Sequence, residues 1–247
     1  MSDAPTVAVF RPDDDRLERA VALLAELGAE PVADPMLAVE PTDATPRTDA
    51  EYVILTSKTG AELVSEAGWA PGDATVCAIG PATADALRAE GYAVDIVPEE
   101  FTSSGLVARL EGEIDGARVE VARSDHGSPV LLEGFEDAGA YVHETILYQL
   151  VRPGGSGESA KLAAEGELDA VCFTSSLTVE HFLAAAAEKG IREAAVTGLA
   201  DATVGVIGEP TAETAEEQGI EVDVVPNEAT FDALAHETVT ATPVREE

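Results

Sequence analysis

Lysine is almost missing from this chain, with Lys58, Lys161 and Lys189 the only three in 247 residues. Lysine and arginine together number 14 against 48 aspartates and glutamates, a formal net charge of −34. A surface that acidic repels phosphate backbones and anionic headgroups, so nucleic acid and membranes are excluded as partners. Cysteine is scarce as well: Cys77 and Cys172 each sit in the middle of an apolar run with no ligand at metal spacing, and both read as buried packing. No apolar segment approaches the roughly 20 residues of a membrane span. MSDAPTVAVF has no basic region ahead of an apolar one, so the expectation is a soluble cytoplasmic protein. GxGxxG, GxxxxGK and GxSxG are all absent, which removes the common nucleotide-binding and serine-hydrolase signatures. The histidines (His126, His143, His181, His236) are scattered and read as solvated or packed; no metal is expected.

Against these absences stands an apolar fraction of 45%, that of a globular chain rather than a disordered acidic one. Dense carboxylate with little lysine is what a protein working in concentrated salt carries, because screening removes its self-repulsion. The expectation is a halophilic source, set against an ordinary acidic cytosolic protein.

The strongest internal signal is a repeat. AIGPATADALRAEGYAVDIVPEEFTSSGL (78–106) recurs as VIGEPTAETAEEQGIEVDVVPNEATFDAL (206–234) at a constant offset of 128 residues. The copies share Gly80/Gly208, Thr83/Thr211, Gly91/Gly219, Asp95/Asp223, Pro98/Pro226 and Thr102/Thr230. Each copy reads as a short strand, a glycine turn, a helix stopped by glycine, and a second strand. A looser match sets ValAlaValPheArg (7–11) and its helix to Gly28 against ValGluValAlaArg (119–123) and its helix to Gly139. Extended segments follow each: 31–41, broken by prolines, and ThrIleLeuTyrGlnLeuValArgPro (145–153). TyrValIleLeu (52–55) is a strand followed by a helix from about Thr59, where Thr59 and Glu62 have capping-box spacing. GlyGlySerGlyGluSer (154–159) has loop composition, and ValCysPhe (171–173) is a strand leading into a helix through His181 and Phe182. Alternating strands and helices predict α/β architecture, two similar domains with parallel sheets covered by helices on both faces.

Ligands of open α/β sheets bind at the carboxyl ends of the strands. There the chain places hydroxyls and glycines in both halves: Thr56 and Ser57, Gly80 and Thr83, Thr174, Ser175 and Ser176, Gly208 and Thr211. Each could equally serve only to cap a helix. Their pairing across the halves points to a shared cleft. Arg11 and Arg123, the latter followed by Ser124, end equivalent strands and are candidates for anchoring carboxylates, with ion pairs to Asp13 or Asp125 as the alternative.

In order and spacing, ValAlaValPheArgPro, TyrValIleLeuThrSer, CysAlaIleGlyProAlaThrAlaAspAlaLeu, IleLeuTyrGlnLeuVal, PheThrSerSer and IleGlyGluProThrAla together resemble the uroporphyrinogen-III synthase family along the whole chain. Glu209, where Pro81 stands in the other copy, departs from the commoner family pattern. The resemblance implies a discontinuous first domain (1–35 with 154–247), a second domain (42–144), and a two-stranded antiparallel connector (36–41 and 145–153). It implies cyclisation of linear hydroxymethylbilane to uroporphyrinogen III with inversion of the fourth ring and loss of water. That is mainly positional catalysis, needing no cofactor. It gives Tyr148 the role of helping the hydroxyl leave. A phenol can donate to a departing oxygen, and the alternative is a tyrosine that only packs. The implied protein is a monomer with the bilane as its small-molecule substrate and the upstream bilane-forming enzyme as a possible partner. A hinged two-domain binding protein without chemistry is the competing reading.

Overall fold

The computed structural model describes residues 4–12 and 14–243. In chain order its elements are β1 (Thr6–Val9), α1 (Asp15–Glu26), β2 (Glu30–Ala33), β3 (Ala38–Pro41), β4 (Tyr52–Leu55), α2 (Lys58–Glu66) and β5 (Thr75–Ala78). These are followed by α3 (Pro81–Ala89), α4 (Ser103–Leu110), β6 (Arg118–Ser124), α5 (Val130–Asp137) and β7 (Tyr141–Val151). The chain ends with α6 (Glu158–Glu165), β8 (Ala170–Phe173), α7 (Ser176–Glu188), α8 (Arg192–Leu199), β9 (Thr203–Val206), α9 (Glu209–Glu217) and α10 (Phe231–Ala241). It divides into two compact units, Met1–Ala38 with Val151–Glu247, and Val39–Leu150.

The first unit is built on a sheet ordered β2-β1-β8-β9, all its ladders parallel. Because successive side chains point to opposite faces, Val7 and Val9 pack with Leu17, Leu24 and Leu234 beneath α1 and α10. Ala8 and Phe10 pack on the other face with Phe173 and Phe182 beneath α6 to α9. The rings of Phe10 and Phe173 stack at 4.9 Å, with Phe182 edge-on to Phe173 at 5.6 Å. Pro31 is tolerated in β2 because that strand lies at the sheet's edge.

In the second unit the order is β3-β7-β6-β4-β5. Apart from β3 this is the same order, with β7, β6, β4 and β5 in the places of β2, β1, β8 and β9. The 128-residue repeat is thereby explained, since β5, α3 and α4 are the counterparts of β9, α9 and α10. Gly91 and Gly219, the stops of the repeated helices, take φ of 88° and 83°, a region glycine enters without penalty. Thr102 and Thr230 cap α4 and α10 by accepting from Gly105 and Ala233 N–H.

Four expectations need correction. The second strand of each repeat shrinks to a single bridge, Cys77 to Ile96 and Gly205 to Val224. The Asp95 and Asp223 carboxylates take the Val76 and Val204 N–H groups at 2.8 Å, doing by side chain what a ladder would do by backbone. The cap of α2 is Ser57, not Thr59, because Ser57 has the extended backbone a cap requires and accepts from Gly60 N–H at 2.9 Å. Residues 145–153 are not a separate connector strand. Nothing between Val142 and Val151 breaks a strand, so β7 continues through them, laddered in parallel with β6 from Tyr141 to Tyr148, while β3 takes the sheet's outer edge. Finally, Glu158 and Ser159 open α6 rather than closing a loop, and α8 was not anticipated.

Candidate functional site

Parallel ladders bring the carboxyl ends of β4 and β5 side by side in the second unit, so α2 and α3 start next to each other. The same happens in the first unit, where β8 and β9 lead into α7 and α9. Helix starts carry unpaired N–H groups and a partial positive charge, which favours anions. The expected hydroxyls and glycines occupy these edges in different ways. Ser57 and Ser175 are caps, and Ser175 forms a reciprocal capping box with Thr178. Gly80 and Gly208 stand at the cap positions of α3 and α9 without any side chain. Thr56 and Thr174 are half-buried beside Ser57 and Ser175. Ser176 donates to the Pro210 carbonyl at 3.0 Å and accepts from Thr214 at 2.8 Å. Thr83 and Thr211 are buried, 4% and 3% exposed, so their side chains do not face solvent.

Tyr148 comes to the same edge. Its hydroxyl donates to Ser57 Oγ at 3.0 Å, and its ring lies in the apolar cluster of Leu55, Ala84, Leu87 and Ala122. Alternation along β7 puts Ile146 on the Tyr148 face. Instead the register against β6 slips, Arg123 facing Ile146 and Ser124 facing Tyr148. Leu147 is the extra residue of this bulge, so Leu147 and Tyr148, neighbours in sequence, are buried in one cluster. Gly60 gives Ser57 and Leu147 their room: a methyl there would lie 3.1 Å from Ser57 Oγ and 3.3 Å from Leu147 Cδ1.

The two arginines part company. Arg123 is 5% exposed, and its guanidinium pairs with Glu144 at 2.5 Å and donates to the Ser128 carbonyl. It braces the end of β6, and its expected role as a substrate anchor is corrected accordingly. Asp125, the alternative partner, instead accepts from Leu150 N–H at 3.0 Å. Half-buried Ser124 sits opposite Tyr148 in the ladder. Arg11 lies with its Cζ 4.9 Å above the Phe231 ring, and its Nε is buried with no hydrogen-bond partner among the described residues. Asp13 lies outside the described residues. Burial, and after it the neighbouring Arg16, hold the Arg11 guanidinium below its ordinary pKa.

Elsewhere Glu120, fully buried on β6, accepts from the Thr145 hydroxyl and sits 2.8 Å from His143 Nδ1. His181 Nδ1 lies 2.5 Å from the Met36 carbonyl. No group of three or more potential metal ligands occurs among the described residues, and none of their helices is long and apolar enough to cross a membrane.

The family model described as uroporphyrinogen-III synthase HemD matches residues 18–236. A relative from Methanothermobacter thermautotrophicus is 33% identical over 230 residues, covering 87% of this chain and 90% of that protein. The uroporphyrinogen-III synthase of Synechococcus elongatus is 29% identical over 196 residues, covering 75% and 73%. Among solved structures, a mutant uroporphyrinogen III synthase from Thermus thermophilus matches with a TM-score of 0.65 at 21% identity over 95% of this chain and 97% of that one. The Helicobacter pylori uroporphyrinogen-III synthetase also reaches 0.65, at 14% identity over 96% and 99%. Those two likenesses are of fold.

Proposed function

The chain belongs to the uroporphyrinogen-III synthase family, and from that premise we propose that it closes linear hydroxymethylbilane to uroporphyrinogen III with Tyr148 and the neighbouring helix starts as the working parts. The bilane loses its hydroxyl to give an azafulvene. The substituted carbon of the fourth ring attacks, and the spiro intermediate reopens with that ring inverted, for a net loss of water. The protein's task is to hold the chain ends in the geometry that leads to inversion. The observation that carries the reading is the Tyr148–Ser57 hydrogen bond at the ligand edge of the sheet, where Ser57 is itself held by Gly60 N–H. Tyr148 can turn its O–H from Ser57 to the departing oxygen and deliver the proton that makes water. In the second unit Thr56, Gly80 and Ser124 supply amides and hydroxyls suited to the substrate's carboxylates, and Thr174 to Ser176 and Gly208 offer the same groups at the corresponding sheet edge of the first unit. The enzyme is a lyase. The carboxylate-rich surface supports work in concentrated salt, and we place it in the cytoplasm as a monomer that receives its unstable substrate from the bilane-forming enzyme. A binding protein without chemistry finds no support in the family match.

The test is incubation with freshly made hydroxymethylbilane, followed by oxidation and separation of the isomers. Type III is expected. Type I alone, at the rate seen without protein, would overturn the assignment.

A further inference from the structure

Among the described residues, most arginines are spent on carboxylates: Arg47 on Asp49, Arg109 on Glu113, Arg118 on Glu51, Arg152 on Glu188. One place in the first unit differs. Arg11, Arg16 and Arg19 line a single cavity of about 430 Å³ with Leu23, Phe231 and Asp232. Three of the chain's 14 basic residues thus meet on one concave surface of a protein with net charge −34. Asp14 pairs with Arg16 at 2.5 Å and Asp232 stands in the wall, while neither Arg11 nor Arg19 makes an ion pair among the described residues.

Arg11 differs from the others in that its Nε is buried without a partner among the described residues. The Phe231 ring fixes it in place, a cation–π contact of the kind that favours arginine. Arg19 Nε is tied to the Asp15 carbonyl at 3.0 Å. Arg11 follows β1 at the same sheet edge where Thr174 and Ser175 follow β8, its parallel neighbour. Apolar walls with a guanidinium whose buried Nε has no partner among the described residues match a short aliphatic chain ending in a carboxylate.

We infer that this cavity holds one acetate or propionate arm of the tetrapyrrole, its methylenes against Leu23 and Phe231 and its carboxylate on Arg11, with Arg16 and Arg19 supplying the surrounding positive field. The inference rests on reading the chain as a tetrapyrrole cyclase.

Three variants test it in molar potassium chloride: Arg11→Gln, Arg11→Lys and the surface double variant Arg16→Gln with Arg19→Gln. Removing a charge-assisted contact should raise KM for hydroxymethylbilane roughly ten- to a hundredfold in Arg11→Gln, with kcat little changed. The double variant should show a smaller rise in the same direction, and Arg11→Lys should recover part of the loss. Uroporphyrin III, the oxidised octacarboxylate, gives a readout independent of turnover, and its affinity measured by fluorescence should fall in parallel. Unchanged KM and unchanged uroporphyrin affinity in Arg11→Gln would overturn the inference. So would inorganic phosphate stabilising the wild type but not Arg11→Gln while KM stays the same, since the cavity would then serve a free anion. If Arg11→Gln does not fold, the double variant decides. A wild type that yields no type III isomer sinks the cyclase reading instead, and uroporphyrin affinity still judges the cavity.

Discussion

At the scale of single residues, Tyr148 carries two loads that can be separated. Its ring fills core space and its hydroxyl makes one hydrogen bond. Tyr148→Phe keeps the first and deletes the second, so stability should fall by only about 0.5–1.5 kcal/mol. If the phenol delivers the proton to the leaving hydroxyl, turnover should fall roughly ten- to a hundredfold, toward the low end of general-acid effects because the leaving group is activated. Steady-state turnover and a thermal melt read the two separately. Wild-type turnover would dismiss the acid role, and a large loss of stability would return Tyr148 to packing alone. The cysteines make a different point. Burial, joined by the Asp95 charge at Cys77, pushes both thiols up to about 12. The native thiols therefore stay protonated where unfolded ones ionise, so their contribution to stability is intact below the ordinary thiol range and is lost as pH rises through it toward 12. At pH 8 iodoacetamide should label neither cysteine in native protein and both after unfolding. Mass spectrometry showing fast native labelling would contradict their burial.

Among the elements, the repeat's conserved polar positions carry backbone that the sheet leaves unpaired. Asp95→Ala strands the Val76 N–H and should cost about 1–3 kcal/mol, and Asp223→Ala the same at Val204. Denaturant melts check this, and a neutral Asp95→Ala would mean water replaces the carboxylate at no cost. A second prediction concerns α6 and α8, which meet so closely that a side chain at Gly198 would collide with the Ala163 carbonyl. Backbone cannot yield as a flexible side chain can, so Gly198→Ala should destabilise by about 1–3 kcal/mol. The topology was legible because spacing and order are local properties: β5, α3 and α4 answer to β9, α9 and α10 residue for residue. The bridge that replaces each second strand was hidden because the competing acceptor is a side chain. Likewise α6 was hidden because its buried face is Ser159, Ala160 and Ala163, too small to stand out as a hydrophobic stripe. The bulge at Leu147 depends on the partner strand, and no pattern within β7 reveals it. Hydroxyls at strand ends were visible as candidates, but not that Thr83 and Thr211 are buried. Arg16 and Arg19 lie on α1, more than 200 residues from Phe231 in sequence, and no local pattern shows that the three line one cavity.

For the whole molecule the governing quantity is charge. A net −34 protein must bind a substrate that carries eight carboxylates, and in dilute buffer both the fold and the encounter work against like charge. The Debye length is about 10 Å at 0.1 M salt and about 3 Å at 1 M, so molar salt removes repulsion between distant carboxylates while leaving contacts at hydrogen-bond distance largely intact. Most of the ion pairs here are exposed and worth little, so screening them sacrifices less than it relieves. Melting temperature should therefore rise as potassium chloride is taken from dilute to molar concentrations. KM for the bilane should fall over the same range, because long-range repulsion fades before the partly enclosed Arg11 contact does. The two trends need not share a midpoint. Stability depends on repulsion summed over the surface, whereas KM depends on the potential near one cavity lined by three arginines. Raising salt should accordingly improve folding more steeply than binding, and removing the positive charge with Arg11→Gln should make KM depend on salt more strongly than in the wild type. Full stability and activity in dilute buffer would refute the adaptation to salt, and an identical salt dependence of KM in Arg11→Gln would show that the substrate never senses that guanidinium.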